Sequence, residues 1–301
     1  MQSRSRLRDS AEYCAALAVV WSLALTPRGL AFRLADFYTR LLDLAIPRLR
    51  RVALRNLEMA LPALSGDERA RIVDGVFRSI ARLLVTFARF PDFDRDNLST
   101  WIRYDGFEHY EQALARGKGV LFATAHLGNW ELSAFAHGLL AKPMGVVVRP
   151  LDNPRIDALV EARRTRGGNW LIEKKDFARS ILKALAANEA VGILIDQNAG
   201  LDAGVFVDFF GIPACAGTGF AKLAAHSGAT VIPGFALWSD AERRYVLRFL
   251  PLLEMSGDAA ADTARLQKVL EGVIREYPDQ WLWIHRRWKT RPAGERDLYG
   301  K

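Results

Sequence analysis

From about residue 100 onward, short apolar runs of strand length alternate with longer segments of helical periodicity. The apolar runs predict strands at 119–125, 144–149, 169–173, 191–196, 230–238 and 244–250. The intervening segments predict helices at 130–141, 153–166, 176–188, 217–227 and 259–277. Such alternation is typical of parallel pairing, because each helix returns the chain to the edge where the next strand starts. The sequence therefore predicts an α/β fold with a mostly parallel central sheet flanked by helices.

The first 95 residues have a different pattern, in which apolar residues recur at helical spacing with arginine clusters between them. Ser65 and the acidic residues that follow it have the composition of a helix start, since serine can cap free N–H groups. We therefore predict an N-terminal helical region over 1–95 and an α/β domain over 96–301.

A charge-free segment, residues 13–27, follows the basic residues Arg4, Arg6 and Arg8. Its 15 residues fall short of the roughly 20 that a helix needs to span a bilayer. We predict a membrane-associated helix at about 11–32, embedded or lying in the interface, with its basic flank on the cytoplasmic side. The alternative is a buried helix of a soluble domain.

The chain is basic, with 42 lysines and arginines against 34 acidic residues and a net charge of +8. This charge favours an anionic partner, either nucleic acid or an anionic membrane with phosphorylated lipid. The aromatic and basic run at 281–291 would suit either partner, but no nucleic-acid-binding motif accompanies it. We therefore predict a membrane partner and no nucleic acid.

His126 and Glu131 lie five residues apart in the run TAHLGNWEL. On one continuous helix this spacing would place the two side chains about 140° apart. A strand that ends near the histidine, turns through Gly-Asn and begins a helix near the glutamate can bring them together. A carboxylate beside an imidazole fixes its tautomer and stabilises the imidazolium. We predict that His126 is a general base and that Glu131 orients it.

The chain offers this base no nucleophile of its own. No GxSxG motif occurs, and nothing beside Cys215 indicates an activated thiolate. The simplest nucleophile is a substrate hydroxyl, which His126 would deprotonate for attack on an activated acyl group. Backbone N–H groups of the turn and the start of the next helix would stabilise the oxyanion.

A metal or bound cofactor is not predicted. His126, Glu131 and His137 could supply metal ligands, but their spacing is not HExxH and no further cluster supports them. Cys14 and Cys215 have no metal or disulfide spacing. Phosphate-binding and dinucleotide-binding glycine motifs are also absent from the sequence.

The run HLGNWE resembles the HxxxxE motif of the lysophospholipid acyltransferase superfamily. The longer sequence resembles the bacterial branch of that superfamily, the late acyltransferases of lipid A biosynthesis. Further resemblance lies in RNLEMALPALS (55–65), VVVRPLDNPRID (146–157), VGILIDQNAG (191–200) and WLWIHRRWKTRPAG (281–294). HxxxxE alone is weakly specific, whereas the order and spacing of all these stretches, from about residue 15 to 294, are strongly specific.

The resemblance implies roles for individual residues. His126 and Glu131 fall on the catalytic positions of the family. Arg149 and Arg164 fall on arginines that would hold phosphates of the acceptor, since guanidinium groups match phosphate oxygens. Asp196 falls on an aspartate that would orient the acceptor or hold an arginine. The tail at 281–294 is expected near the membrane-facing side.

The implied activity is that of a membrane-associated O-acyltransferase. It would transfer a fatty acyl chain from an acyl thioester, carried by acyl carrier protein or coenzyme A, to a hydroxyl of a lipid A precursor. The enzyme would act at the cytoplasmic face of the inner membrane, on an anionic glycolipid. Two alternatives are another acceptor, such as a phosphatidylinositol mannoside or an aminolipid, and a non-catalytic membrane lipid-binding protein.

Overall fold

A seven-stranded sheet lies at the centre of the computed structural model, which describes residues 5–173 and 177–300. Its strands are β1 (Ile102–Asp105), β2 (Val120–Thr124), β3 (Met144–Val148), β4 (Trp170–Glu173), β5 (Ala190–Leu194), β8 (Thr230–Ser239) and β9 (Arg244–Phe249). A separate antiparallel hairpin pairs β6 (Gly204–Phe209) with β7 (Ile212–Gly217). The helices of the described residues are α1 (Arg6–Leu25), α2 (Arg28–Ala45), α3 (Pro47–Ala60), α4 (Gly66–Ala88), α5 (Phe107–Ala115), α6 (Trp130–Leu140), α7 (Pro154–Arg164), α8 (Phe177–Ala186), α9 (Gly219–Ser227) and α10 (Ala259–Glu276).

The strand order is β1-β9-β8-β2-β5-β3-β4. All neighbouring strands pair in parallel except β8 and β9, which are antiparallel. The prediction of an α/β fold with a mostly parallel sheet is therefore confirmed. Strand β2 lies between β5 and β8, and its side chains are almost entirely buried. This central position places the residues that follow β2 at the middle of one sheet edge, a usual place for an active site in an α/β protein.

The predicted strands are present within two residues at each end, but some elements were not predicted. Strand β1 has only four residues, and the hairpin turns at Phe210 and Gly211, both with positive φ. Because β7 continues to Gly217, the helix predicted from 217 begins at Gly219. The helix predicted over 176–188 starts at Asp176, outside the described residues, and its described part is α8.

The N-terminal helices share a hydrophobic core with the sheet. Leu23 of α1, Ala31 of α2 and Val85 of α4 belong to the same buried cluster as Phe122 of β2 and Ile232 of β8. Helix α4 begins with the predicted cap: the Ser65 hydroxyl accepts from the Glu68 N–H, and the Glu68 carboxylate accepts from the Ser65 N–H. The inner faces of these helices are thus fixed to the sheet by burial.

Within residues 5–173 and 177–300, none of the helices combines the length and apolar character needed to cross a membrane. Large apolar side chains are nevertheless exposed on α1 and α2. Trp21, Leu25, Phe37 and Leu44 are exposed by 57%, 77%, 53% and 77%. We call the exposed large apolar side chains of α1 and α2, from Leu7 to Leu44, the N-terminal apolar face. The membrane-associated helix expected at about 11–32 overlaps this face and stays a prediction.

Candidate active site

The HLGNWE segment forms the predicted strand–turn–helix. Strand β2 ends at Thr124 and α6 begins at Trp130. Gly128 has φ +63°, and a Cβ atom there would collide with the carbonyl oxygen of Ala236 on β8. Asn129 caps α6, because its side-chain oxygen accepts from the Leu132 N–H at 3.0 Å. The glycine makes the turn and the asparagine starts the helix.

The carboxylate on the His126 imidazole belongs to Asp196. Nδ1 of His126 lies 2.9 Å from Oδ1 of Asp196, and the backbone N–H of His126 donates to Oδ2 at 3.1 Å. The strand register explains this pairing. Thr124 of β2 is the partner of Leu194 of β5, so the residues two positions further along each chain meet beyond the sheet edge.

Glu131 does not make the expected contact with the His126 imidazole. Its carboxylate pairs with Arg164 instead. Nε and Nη2 of Arg164 donate to the two Glu131 oxygens at 2.9 and 2.6 Å, and the Trp130 indole N–H donates at 3.2 Å. Glu131 lies in the first turn of α6, from which its side chain reaches Arg164 at the end of α7. The expected orienting contact of Glu131 on His126 is thus replaced by that of Asp196.

Burial and charge act in opposite directions on the pKa values of His126 and Asp196. Burial has the largest single effect on His126 and would lower its pKa, but the Asp196 and Glu131 carboxylates together outweigh it, so the pKa lies above its ordinary value. Burial would likewise raise the pKa of Asp196, but His126 and three hydrogen bonds hold it below its ordinary value. Asp196 is therefore ionised at neutral pH, and it makes the imidazole a stronger base.

A cavity of about 750 Å³ opens beside this pair. Its polar wall includes His126, Glu131 and Arg164, and the exposed residues Arg149 and Leu151 lie on its rim. The opposite end is closed by side chains that are almost fully buried, namely those of Phe122, Phe135, His137, Met144 and Phe249. One cavity thus joins a charged mouth to an apolar interior.

The structure brings four of the five predicted site residues to the cavity wall: His126, Glu131, Arg149 and Arg164. Arg149 is highly exposed and lies 3.4 Å from Asp152. Asp196 is 3% exposed and lies behind the imidazole, so it holds the histidine rather than an acceptor or an arginine. In the part of the chain that the structure describes, no group of three or more potential metal ligands occurs.

Two of the turn N–H groups that the sequence suggested as oxyanion donors are already engaged. The N–H of Gly128 donates to the Gln280 carbonyl at 2.9 Å, and the N–H of Asn129 donates to the Ala236 carbonyl at 2.8 Å. Both groups are used to hold the turn on its neighbours. The N-terminal end of α6 also supplies positive potential at the turn.

The aromatic tail also differs from expectation. Trp281, Trp283 and Trp288 are at most 1% exposed, so this segment belongs to the core and not to a membrane-facing surface. The Trp281 indole N–H donates to Oδ2 of Asp196 at 3.0 Å. Sequence reasoning missed this contact, because a tryptophan-rich basic run has the same composition in a buried core and at a membrane interface.

Comparison with known proteins identifies the family of this chain. The family model for bacterial lipid A biosynthesis acyltransferases matches residues 1–290. The chain is 31% identical to the lipid A biosynthesis lauroyltransferase of Escherichia coli K12, over 94% of this chain and 93% of that protein. It is also 31% identical to the palmitoleoyltransferase of the same strain, over 94% and 92%. A lipid A biosynthesis acyltransferase of Haemophilus influenzae is 28% identical over 89% and 85%. The chain therefore belongs to the bacterial lipid A biosynthesis acyltransferase family.

Proposed function

We propose that this acyltransferase moves a fatty acyl chain from a thioester donor to a hydroxyl group of a phosphorylated lipid A precursor. The observation that carries the proposal is the paired His126 and Asp196 beside a cavity with a charged mouth and an apolar interior. A base without a protein nucleophile suits activation of a substrate hydroxyl. The apolar interior suits an acyl chain.

In the proposed reaction, Nε2 of His126 takes the proton of the acceptor hydroxyl as the oxygen attacks the thioester carbonyl. Asp196 accepts the Nδ1–H hydrogen bond and stabilises the imidazolium that forms. The positive end of the α6 dipole favours the tetrahedral oxyanion. Collapse breaks the carbon–sulfur bond, and the leaving thiolate takes the proton from His126. The products are the acyl ester and the free thiol of the donor.

The two arginines at the mouth support an anionic acceptor. Glu131 fixes the Arg164 guanidinium in a bidentate pair whose side chains are 21% and 11% exposed. We assign Arg164 and the exposed Arg149 to the phosphates of the acceptor, since guanidinium groups bind phosphate oxygens well. Glu131 then acts by positioning Arg164.

The N-terminal apolar face supports association with a membrane. Helix α1 lies against the start of α7, where Nδ2 of Asn153 donates to the Asp9 carbonyl at 2.9 Å. This contact places α1 beside the segment that carries the cavity rim, including Leu151, which is 42% exposed. An interfacial orientation of α1 and α2 would bring the mouth to lipid headgroup level. We place the enzyme at the cytoplasmic face of the inner membrane.

The test is transfer by purified protein with matched donors and acceptors. Donors of one chain length would be carried on acyl carrier protein or on coenzyme A. Acceptors would be a phosphorylated lipid A precursor, its dephosphorylated form and a phosphatidylinositol mannoside. We expect an ester product, detected by mass spectrometry, mainly on the phosphorylated glycolipid. Absence of transfer from every donor, with lipid binding retained, would contradict an enzymatic role.

The buried end of the cavity predicts a change in chain-length preference. A Cβ atom at Gly192 would lie 2.7 Å from Cε of Met144, so Gly192→Ala narrows the cavity and Met144→Ala lengthens it. We expect Gly192→Ala to favour shorter donors and Met144→Ala longer ones, by about tenfold in relative kcat/KM, since one methylene in a pocket changes specificity by about 10- to 200-fold. Competition among donors of different length measures this. Met59→Ala, outside the cavity lining, is the control. An unchanged product profile in both Gly192→Ala and Met144→Ala would mean that the acyl chain binds outside this cavity.

A further inference from the structure

The segment Gln280 to Leu282 is hydrogen-bonded directly to the loop that carries the base. The Leu282 N–H donates to the His126 carbonyl at 2.9 Å, and the Gln280 carbonyl accepts from Gly128. The Gln280 side chain in turn bonds the backbone N–H and carbonyl of Trp238 on β8, at 2.8 and 3.1 Å. The segment therefore links the His126 loop to the sheet.

Trp281 stands between these two backbone contacts, and its indole reaches the Asp196 carboxylate. The ring is 1% exposed and packs edge-on against Trp283 and Phe209, with centroid distances of 4.6 and 5.7 Å. The indole N–H donates to Oδ2 of Asp196 at 3.0 Å. With the His126 backbone N–H, the indole gives Oδ2 two donors and leaves Oδ1 to face Nδ1 of the imidazole.

We propose that Trp281 is a positioning residue for the transfer reaction, which fixes the Asp196 carboxylate so that Nδ1 of His126 carries the proton and Nε2 is free to act as base. This role rests on the proposed function, because it acts through the histidine. A hydrogen bond to a buried charged group contributes about 1.5–3 kcal/mol to the stability of that group in its place. This free energy corresponds to a factor of roughly 10 to 100 in an equilibrium or rate constant.

The test compares Trp281→Phe with Trp283→Phe. Both variants remove one buried indole N–H and keep an aromatic ring. The Trp283 N–H donates to the Pro278 carbonyl at 2.7 Å, away from the carboxylate. We expect Trp281→Phe to lower kcat about 10- to 100-fold, with a much smaller change in Trp283→Phe.

The pH profile separates positioning from a general loss of packing. The indole N–H stabilises the anionic carboxylate, so its removal increases the proton affinity of the coupled pair. We therefore expect the acid limb of kcat/KM, which reports the base of the free enzyme, to move to higher pH in Trp281→Phe and to stay in place in Trp283→Phe. Equal losses with unshifted acid limbs in both variants would overturn the proposal.

A measurement on the unaltered protein covers the case in which Trp281→Phe does not fold. In ¹⁵N-tryptophan-labelled protein, the Trp281 indole resonance should move as the His126–Asp196 pair titrates, while that of Trp283 should not. A Trp281 resonance that ignores this titration would contradict the role of Trp281. An unaltered protein without transfer activity would instead contradict the proposed function, whatever the resonance does.

Discussion

Replacing His126 with alanine is expected to lower kcat for acyl transfer by about a hundred- to ten-thousand-fold, the usual contribution of a positioned general base. The variant removes the only imidazole that combines a place on the polar wall of the cavity with a carboxylate on Nδ1, among the residues that the structure describes. Without it, the acceptor hydroxyl must lose its proton to water while it attacks. Donor binding should change little, because the apolar interior that we propose for the acyl chain is not altered. Steady-state kinetics with saturating acceptor measures the loss.

His226→Ala is a suitable control for this variant, because His226 is exposed on α9 and does not line the cavity. It should retain the activity of the unaltered enzyme. If His126→Ala kept near-normal turnover, the hydroxyl would have to be activated by another group, and the proposed mechanism would be wrong.

Replacing Asp196 with asparagine is expected to cost about ten-thousand-fold in kcat, as in triads where the same change imposes the wrong tautomer. The surrounding donors decide which way the amide turns. Two N–H groups, from His126 and Trp281, point at the Oδ2 position, so the amide oxygen must lie there. The amide NH₂ then faces Nδ1 and donates to it. The imidazole proton moves to Nε2, which can no longer take a proton from the acceptor.

Asp262→Asn is the matched control, since Asp262 is also fully buried and accepts backbone N–H bonds from Ser256 and Gly257. It should lower thermal stability without the same loss of turnover. Because His126 and Asp196 act as one unit, the double variant should be no slower than His126→Ala alone. Additive losses would mean that Asp196 acts on something other than the histidine.

The sequence was sufficient to predict the helical N-terminal region, the mostly parallel sheet and the strand–turn–helix around His126. It did not identify the partner of His126. The spacing of His126 and Glu131 is local and visible, whereas the contact with Asp196 spans 70 residues and depends on β5 lying next to β2. Strand order is a product of packing over the whole chain, and no local pattern of apolar residues encodes it.

The same limit explains why the surroundings of two apolar segments could not be predicted. The prediction that the tail at 281–294 lies near the membrane-facing side is wrong, and the sequence leaves the surroundings of α1 open. The residues of α1 and the tryptophans of the tail are both apolar with arginines nearby. In the folded chain, Trp281 is buried on a carboxylate, while Trp21 is 57% exposed. Composition alone does not distinguish a side chain that faces protein from one that faces outward. Only the position of the neighbouring elements does.

The turn at Gly128 has a consequence for natural variation in this enzyme. A side chain at this position would meet the backbone of β8 and would also strain a left-handed conformation. Relief of that collision would displace the loop carrying His126, which the N–H of Gly128 also ties to Gln280. A missense change that replaces Gly128 would thus act as a loss-of-function allele even though His126 is still encoded.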